Sequence, residues 1–231
     1  MPDISILSGG AAHALVRALE PQFRDASGHG VTGTFGAVGA MRAKLAEGER
    51  PDVVILTAAI IAELAREGTV LPETVADIGA VETAVAVRGG DAAPSVGDEA
   101  ALRQALLTAD AIYFPDPKLA TAGIHFAAVL DRLGIADIVA ARLRTSPNGA
   151  TAMAALAKAP EARPIGCTQV TEIVATPGAE LVAVLPKGFD LSTRYTAAVV
   201  SGSPREEPAR ALVTLLTGPA GKAARRQAGF A

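Results

Sequence analysis

Apolar residues in this chain fall into short runs that alternate with longer stretches of helical spacing. Ile4–Leu7 is a brief apolar run and predicts a strand. After Ser8-Gly9-Gly10-Ala11, the residues Leu15, Leu19 and Phe23 recur every fourth position and predict a helix over about 12–24, ended by Gly28 and Gly30. Val31–Phe35 predicts a second strand, and 38–47 a second helix. Val53-Val54-Ile55-Leu56 is continuously apolar, the pattern of a strand buried on both faces of a parallel sheet. Thr57 is read as the cap of a third helix reaching Arg66. Strand, turn and helix have by then repeated three times, which indicates a parallel sheet covered by helices.

Val81–Val87 predicts a further strand, and the glycine- and proline-rich loop Arg88–Gly97 a boundary between lobes. The pattern then restarts. A helix over 98–108 precedes the strand Ala111–Phe114, the loop Pro115–Ala122 and the helix Gly123–Leu133. Ser146-Pro147-Asn148-Gly149 opens a helix to about Lys158, and Pro164–Cys167 reads as a strand ending in Thr168-Gln169. Leu181–Leu185 and Thr196–Val200 predict strands, with helices over 206–217 and 219–227 closing the chain. Two α/β halves follow, with 1–83 and 196–231 forming lobe I and 84–195 forming lobe II.

Composition narrows the ligand. The net charge is −3 with no block of like charge, which argues against a nucleic-acid surface. Mean hydropathy is +0.33, yet no apolar run reaches membrane-spanning length, so no membrane insertion is expected. Aromatic residues are 3% with no tryptophan, which disfavours stacked sugars and bases and suits a small polar ligand. Cys167 is the single cysteine, so neither an internal disulfide nor a cysteine-built metal site is open to the chain. Neither G-x-G-x-x-G nor G-x-x-x-x-G-K-[ST] occurs, and no cofactor or metal is expected. Met1-Pro2-Asp3 runs straight into the first strand without a basic n-region or an A-x-A site. The chain is therefore expected to be cytoplasmic if the sequence is complete and periplasmic if a signal peptide was removed.

The candidate chemistry lies in the turns. Gly33–Met41 reads as a strand end, a glycine-rich turn and a helix start, where free backbone N–H groups and the positive end of the dipole form an anion cradle. In open parallel sheets ligands bind at the carboxyl ends of strands. The ligand-binding candidates are Ser8, Gly9, Gly10, Ala11, Gly36, Ala37, Val38, Thr121, Ala122, Asn148, Gly149, Thr168 and Gln169.

Ordered along nearly the whole chain, several pieces resemble the type II periplasmic solute-binding superfamily, in its molybdate-binding branch. They are Ile6-Leu7-Ser8-Gly9-Gly10-Ala11, Phe35-Gly36-Ala37-Val38-Gly39, Pro51-Asp52-Val53-Val54, Asp116-Pro117 with Ala122-Gly123-Ile124, Leu130–Gly134, and the tail Leu216–Phe230. The resemblance implies a two-lobed α/β fold of mainly parallel sheets flanked by helices, with an anion gripped between the lobes at helix N-termini. It implies an ABC transporter permease as partner if the chain is exported. The molybdate binders' serine ligands fall here at Ala11 and at Ala37 or Val38, and their second-lobe tyrosine at Gln169. Backbone donors would lie near Ala122 and Gly149. Each lost hydrogen bond to a charged group costs about 1.5–3 kcal/mol, so an organic (poly)carboxylate is favoured over molybdate or tungstate.

Some relatives in this superfamily are aconitate isomerases, and Ile165–Glu172 looks more like that branch. An isomerase moving a proton on an unsaturated polycarboxylate is thus the alternative, with Glu172 or His13 as catalytic candidates. Each candidate also has a bland reading. Ser8 and Asn148 could cap helices, Glu172 could be a first-turn carboxylate, and His13 and His125 could simply be packed. Cys167 reads better as a small buried strand residue than as a nucleophile.

Overall fold

The structure, a computed structural model, describes residues 2–231. In chain order its elements are β1 (Ile4–Gly9), α1 (His13–Ser27), β2 (Val31–Gly36), α2 (Val38–Ala46), β3 (Val53–Thr57), α3 (Ala58–Arg66) and the long strand β4 (Ala76–Arg88). There follow α4 (Glu99–Thr108), β5 (Ala111–Pro115), α5 (Thr121–Arg132), the short α6 (Ala136–Val139), β6 (Leu143–Ser146) and α7 (Gly149–Leu156). The rest are β7 (Pro164–Gln169), α8 (Val170–Val174), β8 (Ala179–Val184), β9 (Ser192–Val199), α9 (Glu206–Thr217) and α10 (Lys222–Gln227). The chain divides into two compact units. One holds the residues up to Val81 together with Thr193–Ala231, and the other is Glu82–Ser192.

In the first unit β2, β1 and β3 are parallel neighbours, and β9 runs antiparallel beside β3. The first four residues of β3 are fully buried, as its unbroken apolar run requires. α1 lays Leu15, Val16, Leu19 and Phe23 into the core and stops at Gly28. Gly28 has φ +73°, and its N–H returns to the Arg24 carbonyl at 2.8 Å, a left-handed cap that glycine adopts without steric cost. Asp52, just before β3, is 1% exposed and fully engaged. It accepts from Ser5 N and Oγ at 2.8 and 2.7 Å, from Ser203 Oγ at 2.6 Å and from Arg205 Nε at 2.9 Å. This carboxylate ties β1 to the segment entering α9.

In the second unit β7, β5 and β6 are parallel, and β4 pairs antiparallel with both β7 and β8. Alternation along the strands feeds two cores. Val85, Ile112, Phe114 and Cys167 point to one side with Leu102, Leu106, Phe126 and Val129. Ala84, Ala86, Ala111 and Tyr113 point to the other, under Met153 and Leu156 of α7. At Gly166 of β7 a Cβ would lie 2.6 Å from Leu156 Cδ2, so α7 rests directly on the strand. That close seat brings the start of α7 to the end of β7.

Several elements lie outside the sequence-based expectation. β4 starts at Ala76, ahead of the expected Val81–Val87, where Asp-Ile-Gly-Ala lacks the β-branched run that marks a strand. Gly79 there has φ +152°, and a Cβ on it would sit 2.7 Å from the Ala231 carbonyl. β6 is a short, largely exposed strand beside β5, and its Leu-Arg-Thr-Ser composition carries no apolar run.

Candidate functional site

Because β1, β2 and β3 are parallel and in register, their carboxyl ends share one edge of the first unit. Ser8 stands opposite Phe35 and Ile55, and Gly9 opposite Gly36. The predicted turns Ser8–Ala11 and Gly36–Val38 are thereby brought together, next to Thr57 at the end of β3. Ser8 is buried, and its hydroxyl donates to the Gly9 carbonyl at 2.8 Å. Its proton is thus spent inside the turn, and it caps no helix. Gly10 starts a single 3-10 turn that leads into α1.

Ala11, Ala37 and Val38 are buried and carry no side-chain donor. Ala37 is the N-cap of α2, and the first N–H returning to it is that of Met41, at 3.0 Å from the Ala37 carbonyl. The N–H groups of Val38, Gly39 and Ala40 therefore have no intrahelical acceptor. Gly9 is required for space. A Cβ would lie 2.9 Å from Tyr195 Cε1 and 3.1 Å from Val38 Cγ2, so the Tyr195 ring backs this turn.

His13 is the first residue of α1. Its ring stacks on Phe35 with centroids 4.4 Å apart. Desolvation, aided by the Arg17 charge, holds its pKa below the ordinary histidine value. An imidazole in this setting is neutral near pH 7 and can accept a proton.

In the second unit, Thr121 and Ala122 form the first turn of α5, after the N-cap Ala120. Gly123 follows because a Cβ would collide with the carbonyl oxygens of Pro115 and Asp116, which lets α5 abut the end of β5. His125 Nε2 lies 2.7 Å from the Phe189 carbonyl, a packing role. Asn148 caps α7, its Oδ1 accepting from Thr151 N at 2.9 Å.

The end of β7 holds the densest polar group of this unit. Thr168 is buried and its hydroxyl donates to Glu172 Oε2 at 2.6 Å. The backbone N–H groups of Gly149, Ala150 and Gln169 donate to the same carboxylate. Gln169 is the N-cap of α8 and Glu172 its third residue, so the bond back to the Gln169 N–H is half of a capping box. Burial pushes the Glu172 carboxyl above its ordinary pKa, and the hydrogen bonds from Thr168, Ala150, Gln169 and Gly149 oppose that without cancelling it. Gln169 itself is buried at the strand end. Cys167 is fully buried, and burial alone raises its thiol pKa far above neutrality, which keeps it protonated and unreactive.

Three residues near these turns were not singled out from the sequence. Tyr195 is hidden in an ordinary alternating strand, and only its pairing opposite Thr57 brings it behind Gly9. Thr171, in the first turn of α8, is 1% exposed and its hydroxyl has no partner among the described residues. Thr83 is in the same state, opposite Gln169 across β4 and β7. A hydroxyl just past an apolar strand was the legible signal for Thr171; nothing local marked Thr83. No group of three or more metal-ligating side chains occurs among the described residues, and no helix among them is long and apolar enough to cross a membrane.

The sequence model of the family described as bacterial extracellular solute-binding protein matches residues 4–231. An aconitate isomerase from Pseudomonas sp. is 28% identical over 219 residues, covering 92% of this chain and 81% of that protein. Among solved structures, the periplasmic molybdate-binding protein of Azotobacter vinelandii superposes with a TM-score of 0.81 at 18% identity, over 99% of each chain. The sulfate-binding protein SubI from Mycobacterium tuberculosis H37Rv gives 0.76 at 20% identity, over all of this chain and 86% of its own. At such identities the likeness shows the fold alone, that of the two-lobed periplasmic binding proteins.

Proposed function

Since the chain belongs to the bacterial extracellular solute-binding protein family, we propose that it binds a small organic (poly)carboxylate through strand-end turns and helix N-termini. The observation that carries this reading is the first turn of α2. Its N–H groups are unshared, while the neighbouring Ala11, Ala37 and Val38 are apolar and buried. Charge is then met by backbone donors and a carbon skeleton by Ala37, Val38 and the Phe35–His13 pair. Molybdate or sulfate would find no hydroxyl at these positions, and Ser8 has already committed its own proton. Thr121, Ala122, Gln169 and the unpartnered Thr171 hydroxyl are the polar groups offered by the second unit. If the chain is exported, an ABC transporter permease is the partner that would receive the ligand.

Titration calorimetry against citrate, cis- and trans-aconitate, sulfate, molybdate and tungstate tests the proposal. Binding of one or more organic acids with silent oxyanions is expected; submicromolar molybdate binding would overturn it.

The alternative is an isomerase of an unsaturated polycarboxylate. It draws on the relative named aconitate isomerase and on His13, exposed at the start of α1 and held neutral. In that reading His13 carries the proton and the free N–H groups of α2 stabilise developing negative charge. Incubation with trans-aconitate followed by chromatography for the cis isomer separates the two: turnover favours the isomerase, binding without turnover the solute-binding protein.

A further inference from the structure

A helix N-terminus attracts an anion because its first N–H groups are unshared and its dipole is positive there. At α7 that place is already taken by a carboxyl group of the chain. The Glu172 carboxylate takes the N–H groups of Gly149 and Ala150, together with that of Gln169 and the hydroxyl of Thr168. Asn148 Oδ1 takes the next donor, Thr151 N. A carboxylate has about four acceptor sites in all, so these four donors saturate it.

The fit is built on both sides. A Cβ on Gly149 would collide with Glu172 Oε2, Glu172 Cδ and Thr168 Oγ1. Gly149 has no left-handed backbone to explain its presence, so the glycine serves the approach of the carboxylate. Thr168 and Glu172 are both buried, and α7 is held against β7 by its contact at Gly166.

We propose that the Glu172 carboxyl group is the resident occupant of the α7 N-terminus and a specificity-determining group that refuses an external oxyanion at that helix end. An incoming sulfate or molybdate would find no free donor there, since the Glu172 carboxyl oxygens already take them. The same saturation removes Glu172 from the candidates for a catalytic base, since no lone pair is left to take a substrate proton. Its role is that of a positioning residue, joining the starts of α7 and α8. The inference concerns which anion this end refuses and in that respect rests on the anion-binding reading; the occupancy of the helix end does not.

Amide hydrogen exchange on the unmodified protein, free of ligand, tests it directly. Gly149 and Ala150 are expected to be protected, although first-turn amides ordinarily exchange fast, and their NMR signals should not move on adding sulfate, molybdate or citrate. Fast exchange, or a saturable shift of either amide with any of these anions, overturns the inference. Chemical rescue supplies the second arm. Glu172→Ala should melt at a lower temperature than the unmodified protein, and formate should raise that melting temperature while equal chloride does not; no selective effect of formate on a folded variant also overturns it. The two readings separate cleanly. Protected amides with no organic acid bound would sink the binding function and leave the inference standing. An acid bound with shifts at Gly149 would do the reverse.

Discussion

Gly149 and Glu172, twenty-three residues apart in the chain, are in such close contact that no side chain can be added at the first without displacing the carboxylate of the second. Gly149→Ala is therefore expected to destabilise the protein by about 1–3 kcal/mol, the usual cost of overpacking. Urea unfolding measures it. In a double-mutant cycle with Glu172→Ala the two losses should not add, because removing the Glu172 side chain takes away the carboxyl atoms that the new Cβ would strike.

Asp52 predicts the acid limb of the stability curve. Burial alone would raise its pKa, but hydrogen bonds from Ser203, Ser5 and Arg205 together outweigh this and hold it below the ordinary aspartate value. A depressed folded-state pKa gives stabilisation that is complete above the unfolded value, near pH 4, and is lost as pH falls through the folded one. Asp52→Asn should cost about 1.5–3 kcal/mol at pH 7. The gap from the unmodified protein should close steadily below about pH 4, as followed by chemical denaturation at a series of pH values.

His13 should titrate below the usual histidine range in an NMR pH series. Desolvation is the main cause and Arg17 the lesser one. Phe35→Ala, which uncovers the ring, is expected to move the midpoint upward by more than Arg17→Ala does. The opposite order would assign the shift to charge.

Thr171 carries a buried hydroxyl with no partner among the described residues. Leaving such a group unpaired costs about 1–3 kcal/mol, so Thr171→Val should hold or raise the melting temperature. If the hydroxyl meets the ligand, the same variant should bind the organic acid found by calorimetry about tenfold more weakly, a loss of about 1.4 kcal/mol. Unchanged affinity would remove Thr171 from the site.

The sequence carried the turns of the first unit plainly. The apolar runs of β1 and β3 and the glycines between β2 and α2 are local signals, and parallel pairing then places their ends on one edge without further information. The second unit was harder to read. β6 is an exposed strand with two polar residues and an arginine in four positions, so it has no period to detect. The start of β4 owes its pairing to a C-terminus that returns to Ala80, with mutual backbone bonds of 3.1 and 2.9 Å. The seat of Glu172 on α7 depends on the depth at which Leu156 and Met153 meet Gly166, which no local pattern encodes. The spacing Gln169-x-x-Glu172 was the one visible trace, since it matches a capping box.

β9, the antiparallel neighbour of β3, belongs to the segment that follows the entire second unit. On a ribosome, therefore, the Val-Val-Ile-Leu edge of β3 emerges more than a hundred residues before the strand that will cover it. At synthesis rates of about 5–20 residues per second this leaves an apolar strand edge open for several seconds. The continuous second unit can complete its own strand pairings in that interval, and the first unit closes last. Nascent chains arrested before Thr193 should accordingly need a chaperone far more than the finished protein does.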